Sequence, residues 1–215
     1  YGPLTPQPLG WFKNRIESIK DLDKMRFRAV GLAAEVFKEL GLTTTALQPA
    51  DIVPWLDKGL IDAAEFNNPS SDRALGFPSV SSVCMIRSFH QSSEVFEVIF
   101  NKQRFDSLPF ALRSIIRYAL QASSADLSWK ASDRFSTDYE EMRRKQGVRY
   151  YVTPDDILKA QLTAWRKIIA RESANSRIFK RIIDSQMRFA KRVVGFENRS
   201  EEHTSELQSP DHLVC

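Results

Sequence analysis

The sequence predicts an α/β fold with a helix-rich C-terminal part, and three observations support this prediction. Short segments that alternate apolar and polar residues are followed by segments whose apolar residues recur at helical spacing. Glycine and proline mark the boundaries between these segments. From residue 106 onward the spacing is mostly helical. The 215 residues are 42% hydrophobic, which suffices for one substantial core or two small lobes.

The first 20 residues predict an extended segment. Pro3, Pro6 and Pro8 disfavour helix and keep the chain stretched. Gln7 lies between two of these prolines, where the residues alone indicate an amide that is solvated in a loop. Trp11 is more typical of packing than of ligand contact, because tryptophan most often buries a large apolar area.

Residues 21–66 form the centre of the predicted sheet. Residues 25–29 alternate as a strand, and residues 32–40 form a helical stripe that Gly41 closes. A turn leads to a short helix over residues 52–58, which Asp51 could cap and Gly59 ends. A second strand then finishes at residues 63–66.

Two opposite charges lie at the ends of these predicted strands. Arg28 ends the first strand, just before a helix, and Glu65 ends the second. Ligands of open α/β sheets bind outside the carboxyl ends of the strands. Arg28 and the free N–H groups at Gly31 and Leu32 therefore predict a carboxylate site, for which the planar guanidinium is better suited than lysine. The alternatives are that Arg28 pairs with a surface carboxylate, or that Arg26 holds the ligand instead.

Residues 67–100 predict a turn, a short helix and two strands. Asn67 could donate to a ligand or only shape the turn, and Ser71 or Asp72 could cap the helix. Residues 82–100 read as a strand, a break at His90 and a second strand. His90 is either a hydrogen-bonded structural residue or a ligand contact in a cleft. It has no partner serine or cysteine nearby, so no catalytic triad is indicated.

The remaining residues predict helices separated by one short strand. Asp106 or Ser107 caps a first helix that carries Pro109 in its first turn, and a second helix covers residues 122–145. A strand follows at residues 148–152. Residues 153–156 start a third helix, and the last helix covers residues 175–194.

Composition excludes several classes of function. No run of 18 apolar residues is present, and the two cysteines, Cys84 and Cys215, support neither a disulfide framework nor a cysteine metal site. The net charge of +4 raises nucleic acid as a partner, but basic residues are dispersed and none of the basic runs is paired with stacking aromatics. We therefore expect no nucleic acid partner. Nucleotide-binding glycine motifs are absent from the sequence.

Several of these segments resemble one family of transport proteins. The chain is similar to the extracytoplasmic solute-binding subunit of tripartite ATP-independent periplasmic (TRAP) transporters, in the branch that binds 2-oxo acids and related carboxylates. The resemblance covers residues 1 to about 196 and rests on residues 7–13, 28–34, 50–54, 58–66, 75–78 and 99–102. It implies a two-lobed, periplasmic-binding-protein-like α/β fold without catalysis.

The resemblance also implies a ligand site and a cation. Arg28 would bind the carboxylate. The other residues implied to line the cleft are Gln7, Glu65, Phe66, Asn67, His90 and Gln91. In this branch a metal ion lies between the ligand and the protein, which here implies Na⁺ or Ca²⁺ held by Gln7, Glu65 and the carbonyl of Phe66. The family's further glutamate corresponds to Gln91, and this loss of a negative ligand weakens a site for a hard cation. The alternative is that Glu65 accepts a hydrogen bond from a ligand hydroxyl or protonated group.

The resemblance suggests how the chain is organised. Residues 1–20 would be an inter-lobe strand and hinge, residues 21–88 the second lobe, and residues 89–198 a return strand and the C-terminal helices. Because family members are considerably longer, we expect a C-terminal fragment whose N-terminal lobe is largely missing. Residues 199–215 do not resemble the family, and Arg199 to Ser209 back-translates into a sequencing-adapter oligonucleotide, so we hypothesise a non-native tail; a natural acidic tail is the alternative.

The sequence thus predicts a periplasmic receptor that binds a 2-oxo acid, hydroxy acid or dicarboxylate. The resemblance implies delivery to the membrane permease subunits of a TRAP transporter. In some relatives the C-terminal helix packs on a partner subunit, so a homodimer through that helix is a further expectation. Two other classes stay open: an α/β enzyme acting on 2-oxo or 2-hydroxy acids with Glu65 or His90 as general base, and a basic nucleic-acid-binding module, which would show salt-dependent binding.

Overall fold

Six short strands and eight helices make up the part of the chain that the structure describes. The structure is a computed structural model that describes residues 2 and 4–207, with side chains up to residue 196. The strands are β1 (Gly10–Phe12), β2 (Arg26–Arg28), β3 (Thr43–Thr45), β4 (Ala63–Ala64), β5 (Val83–Ile86) and β6 (Arg149–Val152). The helices are α1 (Gly31–Glu39), α2 (Pro49–Asp57), α3 (Pro69–Leu75), α4 (Phe77–Val80), α5 (Lys102–Asp106), α6 (Phe110–Lys145), α7 (Asp155–Asn175) and α8 (Arg177–Leu207).

The strands form one mixed sheet in the order β3-β2-β4-β1-β5-β6. β1 lies between β4 and β5 and runs antiparallel to both. The pairs β2–β3, β2–β4 and β5–β6 are parallel. Strands from all three segments that the resemblance separates, residues 1–20, 21–88 and 89–198, therefore lie in a single sheet.

Gly10 allows β1 to approach β4 closely. Its φ is +151°, and a Cβ at this position would lie 2.8 Å from the carbonyl oxygen of Ala64 and 3.1 Å from the ring of Phe27. Any side chain would therefore collide with backbone. The next two residues, Trp11 and Phe12, are buried on opposite faces of the sheet, as the alternation of a strand requires.

Each face of the sheet is covered by its own apolar cluster. Trp11, Ala64 and Cys84 face one cluster, which is completed by side chains of α2, α4 and the end of α6. On the opposite face the rings of Phe12, Phe27 and Phe37 form a chain, with centroids 6.0 and 4.4 Å apart. The predicted α/β class is confirmed, and the buried aromatic rings explain why such short strands stay in place.

A buried carboxylate on α6 holds α3 in position. Asp138 accepts hydrogen bonds from Ser70 Oγ at 2.5 Å and Arg73 at 2.6 Å, and from Arg134 one turn before it on α6 at 2.8 Å. The N-terminus of α3 is capped by Asn68, whose side chain accepts from two backbone N–H groups of the first turn. The cap is thus Asn68, and the prediction of Ser71 or Asp72 is wrong.

The central prediction of strand, helix, short helix and strand is confirmed, with two differences. A third strand, β3, lies between the two helices and was not predicted, and α2 begins at Pro49 with Gln48 as its N-cap rather than at Asp51. The predicted strand at residues 148–152 and the predicted helix start at residues 153–156 are confirmed by β6 and α7.

Two predictions in the second half are wrong. The two helices predicted between residues 106 and 145 are one 36-residue helix, α6, with Pro109 as its N-cap, preceded by the short helix α5. The strand predicted over residues 95–100 does not form; only Glu94 makes an isolated bridge to Leu4. The apolar side chains of this segment are exposed, up to 80% for Ile99, so no neighbour within the described chain completes a strand there.

The chain divides into two compact units, one ending at Ala164 and the other starting at Trp165. The first holds the sheet. The second contains the rest of α7 and α8, and α8 extends beyond the predicted end at residue 194 to Leu207. Of the predicted non-native tail, residues 208–215 lie outside the described residues, and its non-native origin stays a prediction. Within the described chain, no helix is both long and apolar enough to span a membrane.

Candidate functional site: a buried arginine among three carboxylates

Arg28 and Glu65 form a buried ion pair at the carboxyl ends of two neighbouring parallel strands. Arg28 ends β2, and Glu65 follows directly after β4. Arg28 Nη1 donates to Glu65 Oε1 and to the carbonyl oxygen of Glu65, both at 2.9 Å. The two side chains are only 5% and 4% exposed. The positions predicted from sequence are thus adjacent, and the arginine itself balances the carboxylate that would otherwise repel an anionic ligand.

The other edge of the guanidinium faces backbone and an aromatic ring. Arg28 Nε and Nη2 donate to the carbonyl oxygen of Leu47 at 3.4 and 3.3 Å, which fixes the plane of the guanidinium. Its central carbon lies 5.6 Å from the ring centroid of Phe66. These bonds to Leu47 are long and therefore weak.

Three carboxylates surround this one cation. Glu65, Asp72 and Glu94 are all buried, and each of the last two raises the pKa of Glu65 through charge repulsion. Burial is the main cause that raises the pKa of Glu65 and of Asp72, each to about 7, and it also raises the pKa of Glu94. Three carboxylates beside one arginine leave a negative excess when they ionise, and this excess favours a bound cation or protons.

A directed chain of hydrogen bonds orients Gln7. Gln161 Nε2 donates to Ser88 Oγ at 2.8 Å, and Ser88 Oγ lies 2.7 Å from His90 Nδ1. His90 Nε2 lies 3.2 Å from Gln7 Oε1, and Gln7 Nε2 donates to Glu94 Oε1 at 2.6 Å. The directions agree if the proton of His90 is on Nε2, so that its Nδ1 accepts. His90 therefore fixes which end of the Gln7 amide faces Glu94.

His90 itself is a structural residue in these contacts. Both ring nitrogens have partners, and the ring centroid lies 5.1 Å from that of Phe37. One partner is the hydroxyl of Ser88, so the prediction that no serine lies near His90 is wrong. Burial lowers the pKa of His90 to about 4, so the ring is neutral near pH 7. Of the two readings of this histidine, these contacts favour the hydrogen-bonded one, and they make His90 a poor general base.

Gln91 and Asn67 lie at the edges of this site. Gln91 Nε2 is 3.4 Å from Glu94 Oε1, and the Gln91 carbonyl accepts from the backbone N–H of Gln7 at 3.1 Å. Asn67 accepts from the side chain of Asn68 at 2.8 Å and donates its backbone N–H to Asp72 at 3.1 Å. These contacts support the turn role of Asn67, and a ligand contact from either side chain stays a prediction.

Glu94 and Asp72 are the two site residues that the sequence analysis missed. Glu94 accepts from both Gln7 and Gln91, and its Oε2 is buried without a hydrogen-bond partner in the described chain. Asp72 accepts from the indole N–H of Trp11 at 2.7 Å, and only its role as a helix cap had been considered. The resemblance assigned Gln91 to the family's second acidic position, although a glutamate lies three residues further on.

The described side chains do not by themselves define a finished metal centre. Among them, no group of three or more His, Cys, Asp or Glu is arranged to hold an ion. Gln7 turns its side-chain N–H toward Glu94 and its oxygen toward His90. The oxygen donors here are the carboxylates of Glu65 and Glu94, which are near enough for Glu94 to raise the pKa of Glu65. Such donors suit hard cations such as Na⁺ and Ca²⁺. The unpartnered Oε2 of Glu94 is the observation that fits a cation here.

The chain belongs to a family of solute receptors. The model of bacterial extracellular solute-binding protein, family 7 (DctP), matches residues 8–175, most of the chain. A monocarboxylate 2-oxoacid-binding periplasmic protein from Nostoc sp. (strain PCC 7120) is 23% identical over 200 residues, which cover 93% of this chain and 55% of the relative.

Solved structures of similar proteins show the same fold. A TRAP periplasmic solute-binding protein from Pseudoalteromonas atlantica T6c, with bound sodium and pyruvate, matches with a TM-score of 0.82 at 22% identity. One from Bordetella bronchiseptica RB50, a mixed-occupancy dimer with copurified calcium and picolinate, matches with a TM-score of 0.83 at 23% identity. Both matches cover 95% of this chain and 62% of the relative, so the chain spans less than two thirds of the length of these relatives.

Proposed function

We propose that the chain is the ligand-binding part of a periplasmic receptor for a small organic carboxylate. The buried Arg28 at the carboxyl end of β2 is the observation that carries this proposal, because a buried guanidinium beside a weakly held backbone acceptor suits a carboxylate. The N-terminus of α1 follows two residues later without a side-chain cap, which adds free N–H groups. Gln7, Phe66, Asn67, His90 and Gln91 line or support the cleft.

The ligand we infer is a 2-oxo acid, a hydroxy acid or a dicarboxylate. Relatives named above bind 2-oxo acids, pyruvate or picolinate, all of which carry a carboxylate beside a second acceptor group. The receptor would release its ligand unchanged to the permease subunits of a TRAP transporter. The enzyme alternative lacks support, since burial lowers the pKa of His90 to about 4 and leaves it a weak base.

We infer that a Na⁺ or Ca²⁺ ion completes the site. Glu65, the carbonyl of Phe66 and the amide of Gln7 would hold it, and Glu94 supplies the second carboxylate that Gln91 lacks. The negative excess at Glu65 and Glu94 and the unpartnered oxygen of Glu94 support this donor set. When bound, the ion would neutralise repulsion between these carboxylates and the anionic ligand.

The decisive experiment is calorimetric titration of the purified full-length protein with pyruvate, lactate and succinate. One of these acids is expected to bind, and Arg28→Gln should weaken that binding by at least about a hundredfold, since a buried charge-assisted clamp is lost. Arg26→Gln is the matched control: Arg26 lies on the same strand but is exposed and paired with Asp62, so its loss should leave affinity unchanged.

The double variant Arg28→Gln/Glu65→Gln separates binding from folding, because it removes Arg28 together with the carboxylate that pairs with it. A melting curve establishes that each variant is folded. Folded Arg28→Gln protein that still binds the acid with unchanged affinity would contradict the proposal. For the cation, Glu94→Gln should reduce the dependence of affinity on Na⁺ or Ca²⁺ more than Gln91→Ala does, and the reverse order would remove Glu94 from the donor set.

A further inference from the structure

A second pocket lies on the α6 face of the sheet, lined by residues of β1, β5, β6, α3 and α6. Its volume is about 390 Å³, large enough for a single-ring organic molecule. We call it the aromatic pocket and define it by Trp11, Arg87, Phe135, Tyr139 and Tyr150, with Asp72 in its wall. None of the seven residues predicted to contact the carboxylate at Arg28 lines it.

Three rings form a continuous apolar wall in this pocket. The centroids of Tyr139 and Tyr150 are 4.2 Å apart, and those of Trp11 and Tyr150 are 6.5 Å apart in an edge-on arrangement. Tyr150 is partly buried, and this burial raises the pKa of its phenol above its usual range. Such an arrangement offers faces and edges for stacking against a flat ring.

Arg87 provides a cation at the pocket. It follows directly after β5 and adopts a left-handed backbone conformation, with φ at +74°, which is uncommon for a residue other than glycine. Its side chain is exposed, and the structure gives it no ion-pair partner among the described residues. A carboxylate on a ligand would find a free guanidinium there.

Asp72 does not compete for this role. Both of its carboxylate oxygens already accept hydrogen bonds, from Trp11 Nε1 and from the backbone N–H of Asn67. Burial raises the pKa of Asp72 to about 7, so its charge is reduced near neutral pH. The pocket therefore presents aromatic surface and one free positive charge, which complements an aromatic acid better than an aromatic amine.

We propose that the aromatic pocket is a second ligand site that binds an aromatic monocarboxylate, with its ring against Trp11, Tyr139 and Tyr150 and its carboxylate on Arg87. The residues that would contact this ligand differ from those predicted at Arg28, although Asp72 lies in the pocket wall and also interacts with the charge of Arg28. A ligand seated here would contact the first extended segment, the end of β5 and α6 together.

Titration of the purified full-length protein with phenylacetate tests the proposal. Acetate, which lacks the ring, and benzylamine, which carries the opposite charge, are the matched ligands. Phenylacetate is expected to bind, with both matched ligands at least about tenfold weaker. Arg87→Gln should weaken phenylacetate binding by about tenfold. Lys24→Gln is its control, since Lys24 is another exposed cation with a left-handed backbone, at φ +60°, outside the pocket.

Two further variants test where phenylacetate binds. Ser136→Trp on α6 fills the pocket and should abolish phenylacetate binding, whereas Thr137→Trp, one residue further and outside the pocket lining, should not. Arg28→Gln should leave phenylacetate binding intact. Absence of phenylacetate binding, preference for benzylamine, or binding that survives Ser136→Trp but is lost in Arg28→Gln would each overturn the proposal, and the last outcome would assign the acid to the site at Arg28.

Discussion

At the scale of single residues, His90 determines how the site responds to acid. The folded protein holds it with a pKa of about 4, against 6.5 for a free histidine, because burial disfavours its charged form. In the unfolded chain it takes up a proton as the pH falls through 6.5. Its contribution to stability is therefore complete above pH 6.5 and is lost as the pH falls towards 4.

His90→Gln should remove this acid sensitivity. Glutamine retains a donor and an acceptor but does not titrate, so the variant should lose less stability than the unaltered protein between pH 7 and pH 4.5. The difference should be at most about 3 kcal/mol. Denaturant unfolding at several pH values measures this difference. The reference is pH 8, at which His90 is neutral in both the folded and the unfolded protein. Parallel profiles for the two proteins would show that His90 is solvated in the folded state.

The carboxylates act in the opposite direction. The pKa values of Glu65 and Asp72 are raised to about 7, so their stabilising contribution is complete below pH 4 and declines as the pH rises through 7. Comparing His90→Gln with the unaltered protein at the same pH separates these opposed effects, because both proteins contain the same carboxylates.

Sequence could locate Arg28 and Glu65 but not their partners. Both residues end strands, and strand ends are readable from the alternation of Phe27 and from the run of alanines before Glu65. Glu94 was not recognised because it lies in a segment without regular structure, where spacing does not determine which side chain turns inward. The hydrogen bond from Gln7, 87 residues away, identifies it.

At the scale of elements, buried Asp138 is the main polar contact between α3 and α6, and Arg73 also pairs with the partly exposed Glu141. Asp138→Ala should destabilise the protein by about 2–3 kcal/mol, because Ser70 and Arg73 lose their buried acceptor. Asp126→Ala on the same helix is the control: its pair with Lys130 is exposed, and its loss should cost about 0.5 kcal/mol or less. Chemical unfolding of both variants gives the two values. Equal effects would mean that Asp138 does not tie the helices together.

The elements that were predicted wrongly share a physical cause. β3 consists of three threonines, which offer no apolar alternation, and it forms because β2 provides a parallel neighbour. Residues 95–100 have alternation but no neighbouring strand in the described chain. The prediction divided α6 in two because the polar run around Ser123 and Ser124 resembles a break. A long helix tolerates such serines, because their hydroxyls can donate to backbone carbonyls of the preceding turn, as that of Ser128 does.

At the scale of the whole molecule, α8 presents an unpaired apolar stripe. Ile178, Ile182, Phe189 and Phe196 recur at helical spacing and are exposed, Phe196 by 72%. A homodimer through this helix, which the resemblance to some relatives implies, stays a prediction. An exposed stripe of this kind is buried when a partner subunit covers it.

Ile182→Glu should shift the protein towards the monomer, because it places a charge in the middle of the stripe. Light scattering after size-exclusion chromatography, over a range of concentrations, measures the mass. Lys191→Glu introduces a negative charge on the opposite side of α8 and should leave the mass unchanged. A protein that is monomeric before any substitution would refute the dimer.

The position of β1 in the middle of the sheet has a consequence for how the protein is made. Among the described strands, Gly10–Phe12 precedes both of its neighbours, Ala63–Ala64 and Val83–Ile86, and β6 extends the sheet only at Arg149–Val152. The ribosome therefore releases a wholly apolar strand more than 70 residues before its second neighbour exists. Contact order is high for such a topology, and folding is correspondingly slow. During that interval Trp11 and Phe12 are accessible to chaperones and to other nascent chains. The yield of the folded protein therefore depends on the time between synthesis of β1 and synthesis of β4 and β5.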